Sequence, residues 1–378
     1  MSVTAFFKCK KTIDRLREGP LGKYIDNYAS CLVAEGHTYQ SGARSVRVVG
    51  DFSAWLVITC YGLTDVTEAS VKQYEQFRME HRHPLCSDHA ALARLLVVLR
   101  KMEVIAPPIA PALEPLEKIE HDFELYLRQD RGLCEVSIIR HRTPLRKFLN
   151  QYCSAGVSSF KTLKGKDVTQ FLVKHSHDQS PSSAKSMCWT LRAFARYLVY
   201  RGHTTVDLSS AVPSIRSWKL TAMPERLSPK QIETVLDSCD RNNATGLRDY
   251  AVLVLLSRLG LRANEVVLLR LDDIHWHAGS IIIHGKGRTV VSMPLLSEVG
   301  AAISEYLQNA RPKTDSRFVF VRTLAPHSQF ASSSAISMIA TSALTRAGLD
   351  LRRAGAHIFR HSLATSLLQA GAPLSEIG

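Results

Sequence analysis

Apolar and polar positions along this chain fall mostly at helical spacing. Residues 20–105 and 117–213 repeat one order of elements. Each stretch opens with an amphipathic helix, KYIDNYASCLVAEG and then IEHDFELYLRQDRG. Each continues with a more basic helix, ARSVRVVGDFSAWLV and then SIIRHRTPLRKFLNQY. Phe52 corresponds to Phe148, Val71 to Val168 and Leu95 to Phe194, so the offset grows from 96 to 99 residues. Loop insertions leave a drift of that kind between two copies of a small all-helical domain. The segment IAPPIAPALEP (105–115) separates the copies, because its prolines are excluded from helix interiors. A second linker, VPSIRSWKLTAMPER (212–226), leads to Ser228-Pro229-Lys230-Gln231. There Ser228 is a helix cap, Pro229 suits the first turn and Gln231 completes a capping box. Three domains are expected: 1–110, 116–213 and 227–378.

The third domain mixes element types. GLRDYAVLVLLSRLG reads as a buried helix and RANEVVLLRL as the next one. SIIIHGKGRTVVSMPL reads as a β-hairpin, with β-branched runs on either side of a Gly-Lys-Gly-Arg turn. LLSEVGAAISEYLQNA, SSSAISMIATSALTRAG and HIFRHSLATSLLQAG are helices, the last ending at Gly371 with Pro373 beyond. Phe359, Leu363 and Leu367 form its core-facing stripe. The fold class is mainly α with a small β-hairpin in the last domain.

Charge narrows the function. Lys and Arg number 48 against 34 Asp and Glu, a net charge of +14. Such an excess favours a polyanionic partner, since each cation placed on a phosphate releases a condensed counterion. The eight cysteines are scattered singly without a C-x-x-C pair, so neither zinc nor redox chemistry is suggested. They read as reduced thiols in a cytosolic compartment. The first residues lack the apolar core of a signal peptide. The longest apolar stretch, Tyr250 to Leu256, is too short to cross a bilayer. The expectation is a cytoplasmic protein with no membrane partner.

Three groups carry candidate chemistry. His357 and Arg360 lie three apart at a helix start, so they share a face. Together they can hold a phosphate, the Arg as a two-pronged donor and the His as a proton donor or acceptor. Arg262 follows a tight Gly260-Leu261 turn, and Glu265 can hold its guanidinium or a neighbour's. Lys286 stands on the hairpin turn, where it can reach into a groove. Each taken alone is an ordinary surface residue.

The order changes that. Arg262 within G-L-R-A-N-E-V, Lys286 within G-K-G, and then H-I-F-R at 357–360 form a series that resembles the tyrosine recombinase (phage integrase) family. PERLSPKQIETVL and the helical stretch 117–213 are similar to it too, so the resemblance covers about 20 to 378. It implies two helical SAM-like domains before a tyrosine recombinase catalytic domain. It implies a site-specific recombinase acting on double-stranded DNA as a homo- or hetero-tetramer, through a 3′-phosphotyrosine intermediate, with no cofactor and no metal. Arg262 and Arg360 would clamp the non-bridging oxygens, supported by Glu265. Lys286 would protonate the leaving 5′ oxygen, and His357 would assist the tyrosine's proton. His361 reads as structural. Arg140, Arg142, Arg146, Lys147, Arg216 and Lys219 would lie on DNA phosphates.

The pattern breaks after H-x-x-R. The family continues as L-x-x-I-x-x-x-L-G-H-x-x-x-x-T-x-x-Y, and here Leu374 and Ile377 are followed only by Gly378. The family's second His would fall about five residues on and its tyrosine about fourteen. The expectation is a chain truncated before its nucleophile. The alternative is a DNA-binding remnant that lost catalysis and occupies recombination sites. A topoisomerase of eukaryotic type uses related chemistry, but the duplicated helical domain and compact last domain argue against it.

Overall fold

The computed structural model of the chain describes residues 3–81, 86–108, 114–152, 160–177, 179–215, 225–285, 287, 289–352 and 354–373. Contacts gather it into two compact units: Met1–Pro108 with Pro224–Gly378, and Ile109–Met223. Most of the described residues are helical, with one three-stranded antiparallel sheet. No helix among them is long and apolar enough to cross a membrane.

The first part of the first unit holds α1 (Lys10–Leu16), α2 (Ile25–Ala34), α3 (Tyr39–Ile58), α4 (Glu68–His81) and α5 (Cys86–Lys101). Thr38 caps α3, its hydroxyl accepting the Ser41 N–H at 3.3 Å. Tyr28, Val49, Phe52, Leu92 and Leu95 fill the core. The α1 element and the Phe6-Phe7 pair before it join that core, although the helical pattern of 20–105 did not include them. At Gly36, φ is +82°, and a Cβ there would lie 2.3 Å from the His327 ring. The ring therefore occupies the space that any other side chain would need.

The second unit holds α6 (Pro115–Gln129), α7 (Glu135–Tyr152), α8 (Gly165–Ser176) and α9 (Pro181–Tyr200). Its core is aromatic: Phe123, Phe148, Phe171 and Phe194. Phe148 meets Phe171 edge-on with centroids 5.2 Å apart. In the first unit Phe52 meets Tyr74 at 5.0 Å. The two four-helix groups thus use one packing pair at matching positions, which gives the sequence repeat a physical meaning. Glu120 and Glu124 of α6 face Arg146 and Arg142 of α7. Arg146 Nε donates to Glu120 at 2.9 Å, and Arg142 Nη2 donates to Glu124 at 2.8 Å. The Arg142 hydrogen bond holds the Glu124 carboxyl below the usual carboxylate range.

The last part of the first unit holds α10 (Pro229–Asp237), α11 (Ala244–Arg258), α12 (Ala263–Leu268), β1 (Ile274–His275), β2 (Ser280–His284), β3 (Val290–Pro294), α13 (Ser297–Asn309), α14 (Ser334–Arg346) and α15 (His357–Gln369). The box at Ser228 forms: its hydroxyl accepts the Gln231 N–H at 3.3 Å, and Gln231 Oε1 accepts the Ser228 N–H at 2.9 Å. The run from Ala251 to Leu256 in α11 is fully buried, as its apolar composition requires. The hairpin pairs His284 with Val290 and Ile281 with Met293. A two-residue strand, β1, adds to its edge and was not expected. The helix read over RANEVVLLRL is shorter than its pattern, because Leu269 already has extended dihedrals. The stripe on α15 is also corrected. Ile358, Phe359 and Ser362 are buried, whereas Leu367 is 40% exposed. The apolar spacing runs on past the turns that α11 covers.

His141 gives this fold an acid sensitivity. It is buried, stacks on Trp189 with centroids 4.2 Å apart, and lies 2.7 Å from Thr190 Oγ1. That hydroxyl already donates to the Ser186 carbonyl at 2.9 Å, so the imidazole must be the donor. Burial, helped by the neighbouring Arg140 charge, pushes its pKa down to about 4. The unfolded chain therefore takes up a proton near pH 6.5 that the folded chain refuses. Stability present above about pH 6.5 is expected to fall as the pH drops toward 4. Melting temperatures measured across that window should show a smaller fall for His141→Asn than for the unaltered chain.

Candidate active site

Helix α11 ends at a reversal made by Gly260, whose φ is +62°. The chain then passes through buried Leu261 to Arg262, which is extended and stands as the cap of α12. Glu265 reaches back across the first turn. Its Oε2 accepts the Arg262 N–H at 2.8 Å, and its Oε1 accepts from Arg262 Nη1 at 2.8 Å. One carboxylate therefore starts the helix and aims the guanidinium. Glu265 is buried, while the Arg262 side chain stays half exposed.

Helix α15 packs against α11 and brings in the second cation. Arg360 Nη1 donates to the Gly260 carbonyl at 2.7 Å. The turn that presents Arg262 thus also anchors Arg360. Burial, and then the charge of Arg262, hold the Arg360 pKa below the usual arginine value. Arg360 feels both the charge of Arg262 and that of the buried Glu265 carboxylate. A bound oxyanion would relieve the repulsion between the two guanidiniums, and its two oxygens suit two forked donors.

His357 opens α15 one turn from Arg360. Its ring meets His361 edge-on, 5.9 Å between centroids. A Cβ at Gly355 would lie 3.3 Å from His357 Nδ1, so the chain runs close beneath the imidazole. Ser362 fixes the helix: its hydroxyl accepts the Leu227 N–H at 2.7 Å and donates to the Ile358 carbonyl at 2.8 Å.

Lys286 lies outside the described residues. Its neighbours show where the hairpin stem runs. The Gly285 N–H donates to the Thr289 carbonyl at 2.7 Å. A Cβ on Gly285 would lie 3.8 Å from Glu265 Oε1. The stem therefore borders the Arg262–Glu265 pair. At its turn end His284 Nε2 lies 3.0 Å from Asp273 Oδ1, and Asp273 is buried.

Two supports escaped the sequence reading. One is this His284–Asp273 pair. The other is Arg258, whose Nε donates to Glu298 at 2.7 Å and whose Nη2 donates to Glu233 at 2.8 Å. The Glu298 hydrogen bond raises its pKa. Arg258 ties the end of α11 to α10 and α13, two residues before the Gly260 reversal. Its partners lie too far along the chain for local spacing to reveal.

The candidate DNA-contact residues of the second unit divide. Arg140 and Lys147 are exposed without an ion pair among the described residues. Arg142 and Arg146 are forked onto Glu124 and Glu120. Arg216 and Lys219 lie outside the described residues.

Comparison with known proteins covers both units. A family model described as "Phage integrase family" matches residues 225–378. One described as "Phage integrase, N-terminal SAM-like domain" matches residues 121–202. The integrase/recombinase y4rA of Sinorhizobium fredii is 38% identical over 376 residues, covering 99% of this chain and 91% of that protein. Tyrosine recombinase XerD of Listeria monocytogenes is 30% identical over 263 residues, 68% of this chain and 86% of that protein. Among solved structures, the XerH site-specific recombinase bound to its difH substrate aligns with a TM-score of 0.53 at 20% identity, covering 68% of this chain and 76% of that one. A lambda integrase tetramer bound to a Holliday junction aligns with a TM-score of 0.54 at 15% identity, covering 68% and 71%. At these identities the two structures show likeness of fold.

The Gly260 turn is open to test. Alanine there would adopt a left-handed conformation and bring its Cβ to 3.0 Å from Leu363 Cδ2. Gly260→Ala is expected to cost about 1–2 kcal/mol of stability. It should also weaken stabilisation by added sulfate, since the carbonyl that holds Arg360 moves. Thermal melts with and without sulfate would measure both effects.

Proposed function

Because the chain belongs to the phage integrase family of tyrosine recombinases, we propose that it cuts and rejoins duplex DNA at specific sites through a 3′-phosphotyrosine intermediate. The observation that carries this reading is the convergence of Arg262 and Arg360 on the Gly260 turn. Breaking a phosphodiester by transfer to a tyrosine needs charge neutralisation, a leaving-group acid and help with the nucleophile's proton. Arg262, aimed by Glu265, and Arg360, anchored on Gly260, donate to the non-bridging oxygens as their charge rises. Lys286 protonates the departing 5′ oxygen. His357 handles the tyrosine's proton. The bond energy stays in the phosphotyrosine, so rejoining needs no external energy source.

Arg140 and Lys147 hold phosphates from the exposed face of α7. Arg142 and Arg146 join them through the N–H groups left over by their carboxylates, with Arg216 and Lys219 as further contacts. The fold likeness to a lambda integrase tetramer supports assembly on paired sites.

Tyr306 does not serve as nucleophile. It is fully buried and stacks on Phe320 with centroids 5.4 Å apart. No tyrosine follows it in the sequence. The 378-residue polypeptide alone is therefore expected to bind duplex DNA and form no covalent adduct. A protein–DNA band that survives denaturing electrophoresis would show instead that one of its own tyrosines attacks.

In a cleavage-competent form, Arg262→Ala and Arg360→Ala should each slow cleavage by about 10²–10³-fold with a far smaller change in site affinity. Lys286→Ala should slow cleavage, and a substrate with a better 5′ leaving group should restore the rate. A large affinity loss for Lys286→Ala would mean that the residue positions DNA and is no acid.

A further inference from the structure

The first helical part carries a groove of about 830 Å³ between α1 and α3. Arg15 of α1, Arg44 and Arg47 of α3 and Arg78 of α4 line it, together with three carboxylates. One of these, Asp88, is engaged by Arg78 Nη2 at 3.3 Å. Arg78 Nη1 is buried and meets no hydrogen-bond acceptor. The Arg78 guanidinium also lies over the Tyr74 ring, 5.8 Å from its centroid, so its charge is fixed in place beside the groove. The other two carboxylates, Glu18 and Asp51, pair with none of these arginines among the described residues. Arg44 and Arg47 lie three apart on α3, so they share a face, and both are exposed. The Arg47 guanidinium sits over the Phe7 ring, 5.2 Å from its centroid. That contact orients the cation without neutralising it.

The internal repeat points the same way. Aligned on Phe52 and Phe148, α3 and α7 match at their buried positions: Ser45 with His141, and Val49 with Leu145. In that register Arg44 falls on Arg140. Asp51 falls on Lys147, so the first copy has its own charge pattern. The outward position that offers an exposed arginine in one copy offers it in the other.

We infer that the α1–α3 face is a second DNA-backbone site, with Arg44 and Arg47 on phosphates and Arg78, held by Asp88, adding its charge to the groove wall. The inference rests on the reading of this chain as a DNA-binding recombinase. It assigns to the first helical part a grip on duplex that is independent of sequence.

The test uses the full 378-residue chain and a long duplex of random sequence, with affinity read by fluorescence anisotropy between about 50 and 200 mM salt. Each phosphate contact contributes about 0.9 to the slope of log affinity against log salt. The double variant Arg44→Ala with Arg47→Ala should lower that slope by about 1.8, and its low-salt affinity should drop by about tenfold. Arg44→Lys with Arg47→Lys should keep the slope, which separates loss of charge from loss of fold. If the unaltered chain binds duplex and the alanine variant has the same slope, the inference is overturned while the recombinase reading stands. If the unaltered chain binds no duplex at all, both fall. A thermal-shift titration with inorganic phosphate distinguishes the remaining source. Stabilisation of the unaltered chain that the alanine variant lacks, with equal DNA slopes, would mark a small-anion site and overturn the DNA assignment.

Discussion

A carboxylate kept from water must find donors, and Glu265 finds two of them at Arg262, the backbone N–H and the guanidinium. Much of the site's geometry follows from that pairing. The backbone N–H of Arg262 fixes where α12 begins, and the guanidinium fixes where the first cation points. Arg360 enters the same small space from α15 and is held by the carbonyl of Gly260. Removing Glu265 would take away the negative charge that offsets the repulsion Arg360 feels from Arg262. Two like charges kept this close store repulsion that an oxyanion releases, and the release is greatest when the oxyanion carries most charge. That is the property a phosphoryl-transfer site needs. Arg258 and Ser362 then act at one remove, by fixing the two helices whose ends meet there.

The parts of this design that were legible in the sequence are the local ones. Ser228 and Gln231 lie three apart, and both hydrogen bonds of a capping box depend only on that spacing. The hairpin declared itself through β-branched runs around a glycine turn. Arg262, His357 and Arg360 were recognisable because each sits in a short motif and the motifs follow one order. What stayed hidden was set by partners far along the chain. The α15 stripe shows this: periodicity marks Leu367 as apolar but cannot tell where α11 stops covering it. The short strand β1 offers two residues, too few to carry an alternating pattern.

The α6–α7 pairs are an intermediate case. Glu120 and Glu124 are four apart, as are Arg142 and Arg146. Two such i, i+4 pairs of opposite sign on consecutive helices are what an antiparallel ladder requires, so the signal was present. Reading them as phosphate contacts treated each arginine singly. Seen as a ladder, they first lock α6 to α7 and then offer their remaining N–H groups outward. Arg140 and Lys147 on the same helix make no such pair among the described residues.

The corner at Gly36 has a consequence of another kind. His327 lies on its bare backbone, in space that even a methyl group would contest. The space at one position is thereby filled by a side chain from a distant part of the chain in the same compact unit. A side chain at 36 would have to overcome both the ring of His327 and a left-handed backbone, so the space and the conformation each select glycine there. Neither local segment announces the bond between them. A chain that exchanged residues 3–108 among relatives would have to keep glycine at this corner wherever His327 is retained.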